Sequence, residues 1–172
     1  MGHASPQAVF QAYNEARIKR DWRACYRLLT PEAQYDAVCE MFRSCLESGA
    51  EEAIAIVLKY ASPNGDVSEL DEQPVHGENH RKLLCDYINR RIADKEGFYE
   101  EVFRFFVEND PRRLVPFGEL VDVIVTGDTA EGCAPVTIFS YSTEGGESRW
   151  VPHTSNKTFR FRKINGRWLI DL

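Results

Sequence analysis

The stretch Phe159-Arg160-Phe161-Arg162-Lys163-Ile164-Asn165-Gly166-Arg167-Trp168-Leu169-Ile170-Asp171-Leu172 ends the chain and decides its fold class. Apolar and charged residues alternate on either side of Asn165-Gly166, the period of strands with one buried face. Asn-Gly suits a two-residue type I′ turn, because both central positions need φ > 0. Such a turn pairs Ile164 with Arg167, Lys163 with Trp168, Phe161 with Ile170 and Phe159 with Leu172. The last three pairs share one face, which is expected to pack on helices. The other face sets Arg162 across from Leu169 and Arg160 across from Asp171, an expected exposed ion pair. A slip of one residue would turn Phe159 and Phe161 into water, so the register is strongly specified.

Working back from this hairpin, strand signals continue to Leu120. Leu120 to Val125 favours β structure except at Asp122, and Gly127-Asp128 turns the chain. Val136 to Tyr141 reads as a second strand, ending at Glu144-Gly145-Gly146-Glu147. A third runs from about Arg149 to Ile164, with Pro152 expected to interrupt its ladder or mark a bulge. By alternation Val121, Val123 and Val125 share one face, while Leu120, Asp122 and Ile124 share the other.

Before residue 110 the period is helical. Ser5 caps a helix with Pro6 in its first turn and an apolar stripe of Val9, Phe10 and Tyr13. Asp21 caps a short second helix carrying Trp22, Cys25, Tyr26 and Leu29. Thr30-Pro31-Glu32 starts a third, with Val38, Met41, Phe42, Cys45 and Leu46 inward and Gly49 as its stop. Residues 51–61 are apolar nearly all round and are expected to be largely buried. An acidic stretch from Asp66 to Glu78 reads as a solvated loop. Two further helices carry Leu84, Tyr87, Ile88 and Ile92, then Phe98, Tyr99, Val102, Phe103 and Phe106, and Pro111 ends the helical half. Helices followed by strands define an α+β fold rather than alternating βαβ units.

With 172 residues the chain is the size of one domain, and 43% hydrophobic residues are enough for a core. A net charge of −6 argues against nucleic acid as a partner. No apolar run is long enough to span a membrane, and the first residues have no signal-peptide pattern. Five cysteines without framework spacing lead us to expect free thiols and a cytoplasmic protein.

Five stretches resemble the NTF2-like superfamily, whose members include SnoaL-like and ketosteroid-isomerase-like proteins. Ala8-Val9-Phe10-Gln11-Ala12-Tyr13, Lys19-Arg20-Asp21-Trp22 and Leu28-Leu29-Thr30-Pro31 look like its first helix pair. Val123-Ile124-Val125-Thr126-Gly127-Asp128-Thr129-Ala130 resembles its sheet-entering strand and turn, and Phe159 to Trp168 its last hairpin. The resemblance implies a single domain over 1–172, a cystatin-like cone in which a helical N-terminal half packs on a curved antiparallel C-terminal sheet. Residues 31–110 do not match and are expected to form extended or extra helices within it. The resemblance also implies a cavity for a small apolar ligand and a homodimer packed through the sheet.

Four residues are candidates for chemistry. Tyr13 matches the position of the oxyanion-donating tyrosine of ketosteroid-isomerase-like sites; such sites are an established example of tuned carboxyl groups. The matching second donor position holds Lys157, and Asp36 lies beside the place of the base. Asp122 interrupts an apolar strand, and with the valine face concave it points outward. His153 is a strand histidine with no accompanying nucleophile motif. His76, His80 and Cys85 lack metal-ligand spacing, so no metal is expected, and no cofactor motif is present.

Two functions follow as expectations. The first is a modest apolar pocket for a small ligand, lined by Tyr13, Tyr26, Val121, Val123, Phe159 and Phe161, without assignable chemistry. The second is a non-enzymatic homodimeric interaction module whose cavity is filled by its own aromatics, among them Phe98, Phe103, Phe106, Phe159, Phe161 and Trp150. An isomerase, dehydratase or cyclase of the same fold is a third reading. The balance of these residues leans away from an enzyme.

Overall fold

Capping chemistry starts the helices where the sequence places them. In the computed structural model, which describes residues 3–61, 80–144 and 147–171, Ser5 Oγ accepts a hydrogen bond from the Ala8 amide and opens α1 (Pro6–Ile18). Asp21 does the same for Ala24 and opens α2 (Trp22–Arg27). Four more helices follow: α3 (Pro31–Ser48), α4 (Glu51–Ala61), α5 (His80–Arg91) and α6 (Lys95–Asn109). A 3₁₀ turn over Pro111–Leu114 leads to a sheet of β1 (Val121–Thr126), β2 (Thr129–Glu144), β3 (Glu147–Ile164) and β4 (Arg167–Asp171). The fold is α+β, with the helices N-terminal and a four-stranded antiparallel sheet C-terminal. The acidic stretch 66–78 lies outside the described residues.

The chain divides into two units, Met1–Thr30 with Asp110–Leu172, and Pro31–Asn109. The second is helical, and α3 packs against α4, α5 and α6. Gly49, at φ +64°, ends α3 as expected. The fourth helix is not buried all round. Ala53, Val57 and Ala61 are buried, one stripe at fourfold spacing, while Ile54, Ile56 and Leu58 are only half-buried.

The cysteine expectation is overturned in this unit. Cys39 of α3 and Cys85 of α5 form a disulfide, with Cα atoms 5.2 Å apart, while Cys25, Cys45 and Cys133 are free. The two residues lie 46 positions apart and meet only because α3 and α5 pack together. The premise for a cytoplasmic protein is thereby lost. Among the described residues, no helix is long and apolar enough to cross a membrane.

In the sheet unit the strands follow one another as a meander, β1-β2-β3-β4. The C-terminal hairpin has the expected register, from Ile164↔Arg167 to Arg160↔Asp171, and Asn165 and Gly166 take φ +50° and +76°. The Phe159–Leu172 pair lies outside the described residues. Phe159, Phe161, Trp168 and Ile170 are buried, so this face is the inner one, and α1 packs on β4.

The register places the charged residues opposite each other, but the ion pairs form elsewhere. Arg160 binds Glu131 of β2 at 3.1 Å, and Asp171 is bound by Arg162 at 2.8 Å and by the Thr30 hydroxyl at 2.8 Å. Glu131 lies directly across from Arg160 on the other flank of β3 and competes for it.

Pro152 does not break its ladder. The β2–β3 register is continuous from Thr129↔Arg162 to Glu144↔Glu147 and includes Phe139↔Pro152. β4 reaches only as far as Arg160, so at Pro152 the strand's other side is an edge, where a missing N–H is tolerated.

The first strand departs most from alternation. Asp122 takes φ +54°, and the β1–β2 register shifts between Val121 and Ile124, which is a bulge. Directly paired residues share a face, so Val121, opposite Cys133, joins Ile124, opposite Glu131, on the outer face. Leu120 and Val123 both lie over Gly132 on the inner face, where an added Cβ would come within 3.1 Å of each. The three valines therefore do not share a face. Val121 and Ile124 are 46% and 70% exposed, whereas Leu120 is buried.

Candidate functional site

The inner face of the sheet unit is occupied by its own side chains. Phe10 of α1 meets Phe159 edge-on with ring centroids 4.8 Å apart, and Phe117 lies 5.3 Å from Phe159. Tyr13, Tyr26, Phe159 and Phe161 are all buried, as expected for residues drawn from α1, α2 and the inner face of β3. Cys25 Sγ lies 3.9 Å from the Tyr13 carbonyl, within reach of a weak S–H donation. Of the six residues expected to line an apolar pocket, Val121 is set on the outer face by the bulge, and Val123 is half-buried over Gly132. Of the aromatics expected to fill a cavity, Phe98, Phe103 and Phe106 belong to α6 in the helical unit, and Trp150 is half exposed.

The candidates for chemistry do not share one environment. Tyr13 is buried in α1, whereas Asp36 is exposed on α3 of the other unit. Asp122 is exposed in the bulge, and its left-handed conformation is one that Asp tolerates better than most residues. His153 is exposed on β3 and hydrogen-bonded through Nε2 to the Ser140 hydroxyl on β2. Lys157, at the second-donor position, holds its ammonium 5.4 Å from the Phe159 ring. His76 lies outside the described residues, and Cys85 is committed to its disulfide. Among the described residues, no cluster of three or more His, Cys, Asp or Glu side chains is placed to hold a metal ion.

Burial sets the thiol chemistry. It pushes Cys25 up to about 12 and Cys45 up to about 11, because a thiolate there would be desolvated. Neither is an activated nucleophile. In the helical unit, Tyr35 donates to Asp86 at 2.6 Å, and burial, then that carboxylate, push its hydroxyl up to about 12. Asn89 donates to the Tyr35 and Cys85 carbonyls, which makes this a polar link between α3 and α5.

Several surface hollows lie on the described part of the sheet unit. One, of about 350 Å³, runs across the four strands and is lined by Ile124, Thr129, Glu131, Arg160 and Asp171. A second, of about 360 Å³, has Phe10, Phe117 and Leu120 as its apolar lining and Gln7, Gln11 and Asn14 as its polar lining. Asn14 exchanges two hydrogen bonds with the Phe117 backbone and fixes that wall. A third, of about 260 Å³, lies beside Trp150 and Arg112. Ile124 stands on the outer face as alternation expects, but the row Glu131, Arg160 and Asp171 that completes the first hollow joins three strands and follows from tertiary pairing. No protein-family model, curated protein or solved structure matches this chain.

Proposed function

We propose that this chain is a non-enzymatic interaction module with an NTF2-like sheet unit, and that it works as a homodimer joined through the outer face of the sheet. The observation that carries this reading is the exposed pair Val121 and Ile124 beside the cross-strand row Glu131, Arg160 and Asp171. Large exposed aliphatics next to a row that alternates acid, base, acid suit a two-fold contact, in which each copy sets its arginine against the other's acids. The NTF2-like part of the proposal is supported by two short helices leading into a four-stranded meander that ends in the Asn165-Gly166 hairpin. The helical unit is then an insertion between Thr30 and Asp110. The dispersed candidates for chemistry favour binding over catalysis.

The edges of the sheet favour a face as the contact. Leu28 and Thr30 hydrogen-bond Ile170 and cover the outer edge of β4. The Asp122 bulge disturbs β1, and Pro152 and Lys157 lie along the open part of β3, which are usual guards against strand addition. A second reading, a small-ligand protein, is favoured by the 360 Å³ hollow beside α1, which lies at the lower end of ligand-pocket volumes.

Light scattering of the purified chain tests the dimer. We expect a dimer at about 10 μM, and an Ile124→Lys variant of unchanged helical content that is monomeric at that concentration. A monomeric wild-type chain at about 100 μM refutes the reading.

A further inference from the structure

The core of the helical unit does not draw equally on its four helices. α3, α4 and α6 each pack on the other two, whereas α5 packs chiefly on α3. α3 buries Ala33, Val38, Cys39, Phe42 and Cys45, and α6 buries Phe98, Tyr99, Val102 and Val107. From Lys82 to Arg91, α5 buries only Cys85 and Ile88. Its sequence, His80-Arg81-Lys82-Leu83-Leu84-Cys85-Asp86-Tyr87-Ile88-Asn89-Arg90-Arg91, is mostly polar, and Leu83 is exposed. Three helices thus form a core to which the fourth is attached.

The attachment combines polar contacts with one covalent bond. Tyr35 and Cys39 lie one turn apart on α3. The Tyr35 hydroxyl donates to Asp86 at 2.6 Å, and Asn89 donates to the Tyr35 carbonyl at 3.1 Å. Such hydrogen bonds are exchanged for bonds to water when a seam opens, so their net hold is small. Cys39 is joined to Cys85, and both are almost fully buried, at 4% and 2% exposure. A polar helix of 12 residues is also marginal in water by itself. The disulfide is therefore the main fastening of α5. Just beyond α5, Ile92 is fully buried and Lys95 hydrogen-bonds its carbonyl, so the chain stays anchored where α6 begins.

We infer that α5 is a redox-released helix: a dithiol reductant that opens the Cys39–Cys85 bond frees α5 from α3, while α3, α4 and α6 stay folded together. A thiolate of the reductant attacks one of the two sulfurs, the S–S bond breaks, and the other sulfur leaves as a thiolate that takes up a proton. The second thiolate of the reductant then attacks the mixed disulfide. Two electrons have passed to the chain, Cys39 and Cys85 are both thiols, and the reductant is a disulfide. While the bond is intact α5 cannot leave α3, because bridged cysteines keep their Cα atoms within about 7 Å. Once it is open, the release of α5 uncovers the Tyr35–Cys39 side of α3. The device lies wholly within the helical unit, so it does not rest on the dimer of the sheet unit.

The test is amide hydrogen exchange of the full chain, read by mass spectrometry before and after complete reduction with dithiothreitol. Loss of the cross-link raises every opening that separates α3 from α5, so the measure is the ratio between helices and not the rate in one of them. On reduction, protection around Ile88 and Asn89 of α5 should fall at least about tenfold further than protection around Tyr99 and Val102 of α6. Reoxidation of the same sample should restore the first ratio. Trypsin should cut after Arg90 or Arg91 at least about tenfold faster in the reduced chain than in the oxidised one. A Cys39→Ser, Cys85→Ser double variant should show the reduced pattern with or without dithiothreitol. If that variant does not fold, the reduced wild-type chain decides alone. The inference is overturned if α5 and α6 lose protection by the same factor, which means that the unit opens as a whole. It is also overturned if α5 keeps its protection when all five cysteines titrate as thiols, or if five thiols are counted before reduction.

Discussion

Reducing the Cys39–Cys85 disulfide is expected to destabilise the helical unit selectively. The bond closes a loop across 46 positions, between α3 and α5. For a loop of that length, the chain-entropy model gives about 4 kcal/mol of stabilisation, and native disulfides in small domains span about 2–5 kcal/mol. In a unit of this size, a loss of about 4 kcal/mol corresponds to a fall in melting temperature of roughly 15–30 °C. Two spectroscopic signals separate the units. Ellipticity at the helical minimum follows mainly the helical unit, whereas Trp22, Trp150 and Trp168 all belong to the sheet unit. We expect the helical transition of the reduced protein, and of a Cys39→Ala, Cys85→Ala double variant, to move down while the tryptophan transition moves much less. Both cysteines are buried, so the native protein should be reduced slowly, through opening of the unit. The reasoning is refuted if oxidised and reduced protein melt within about 2 °C of each other. Counting five free thiols in unreduced, denatured protein instead of three refutes it equally.

Two further outcomes follow from single positions. Gly166→Ala, at φ +76°, should cost about 1 kcal/mol in urea unfolding, because an L side chain is strained there, whereas Asn165→Gly should be close to neutral. At pH 8 the half-buried Cys133 should react with a thiol reagent while native Cys25 and Cys45 do not, and a native count above one would contradict their burial. Cys25 also gives a pH dependence: its folded thiol is raised from 9.0 to about 12, so between those values the folded state holds a proton that the unfolded state has lost. Unfolding free energy must then fall as pH rises through that window, and a flat alkaline profile in Cys25 relative to Cys25→Ala would refute it.

What the sequence made legible was local. Ser5 and Asp21 cap their helices because the acceptor and the amide that it serves are three residues apart. Asn165-Gly166 fixes the last hairpin because a two-residue turn leaves one register. Local expectation and structure differ where a distant segment decides. The hairpin alone sets Arg160 against Asp171, but the competing Glu131 arrives on a strand about thirty residues earlier, and such cross-strand contacts follow from tertiary pairing. The Cys39–Cys85 bond depends on how α3 meets α5, which no spacing rule contains. The valine face failed for a related reason. Alternation holds only without a bulge, and the bulge at Asp122 brings both Leu120 and Val123 over Gly132.

The same bulge links the fold to the proposed function. Had β1 kept strict alternation, Val121, Val123 and Val125 would share the inner face with the packing over Gly132, and Leu120 would stand in water beside Ile124. Instead Leu120 turns inward to 7% exposure, and Val121 takes the outer position beside the Glu131–Arg160 row. One residue in the left-handed region thus exchanges which side chain completes the core and which one is presented. An Asp122→Val substitution combines both consequences. A β-branched residue is strained at φ +54°, at a cost of about 1–2 kcal/mol, and relief of that strain would draw β1 back toward alternation. The variant should therefore lose stability and self-association together. Ile124→Lys, which leaves the bulge alone, should lose association only. If Asp122→Val associates like the wild-type chain despite its lower stability, the outer face of β1 is not the contact.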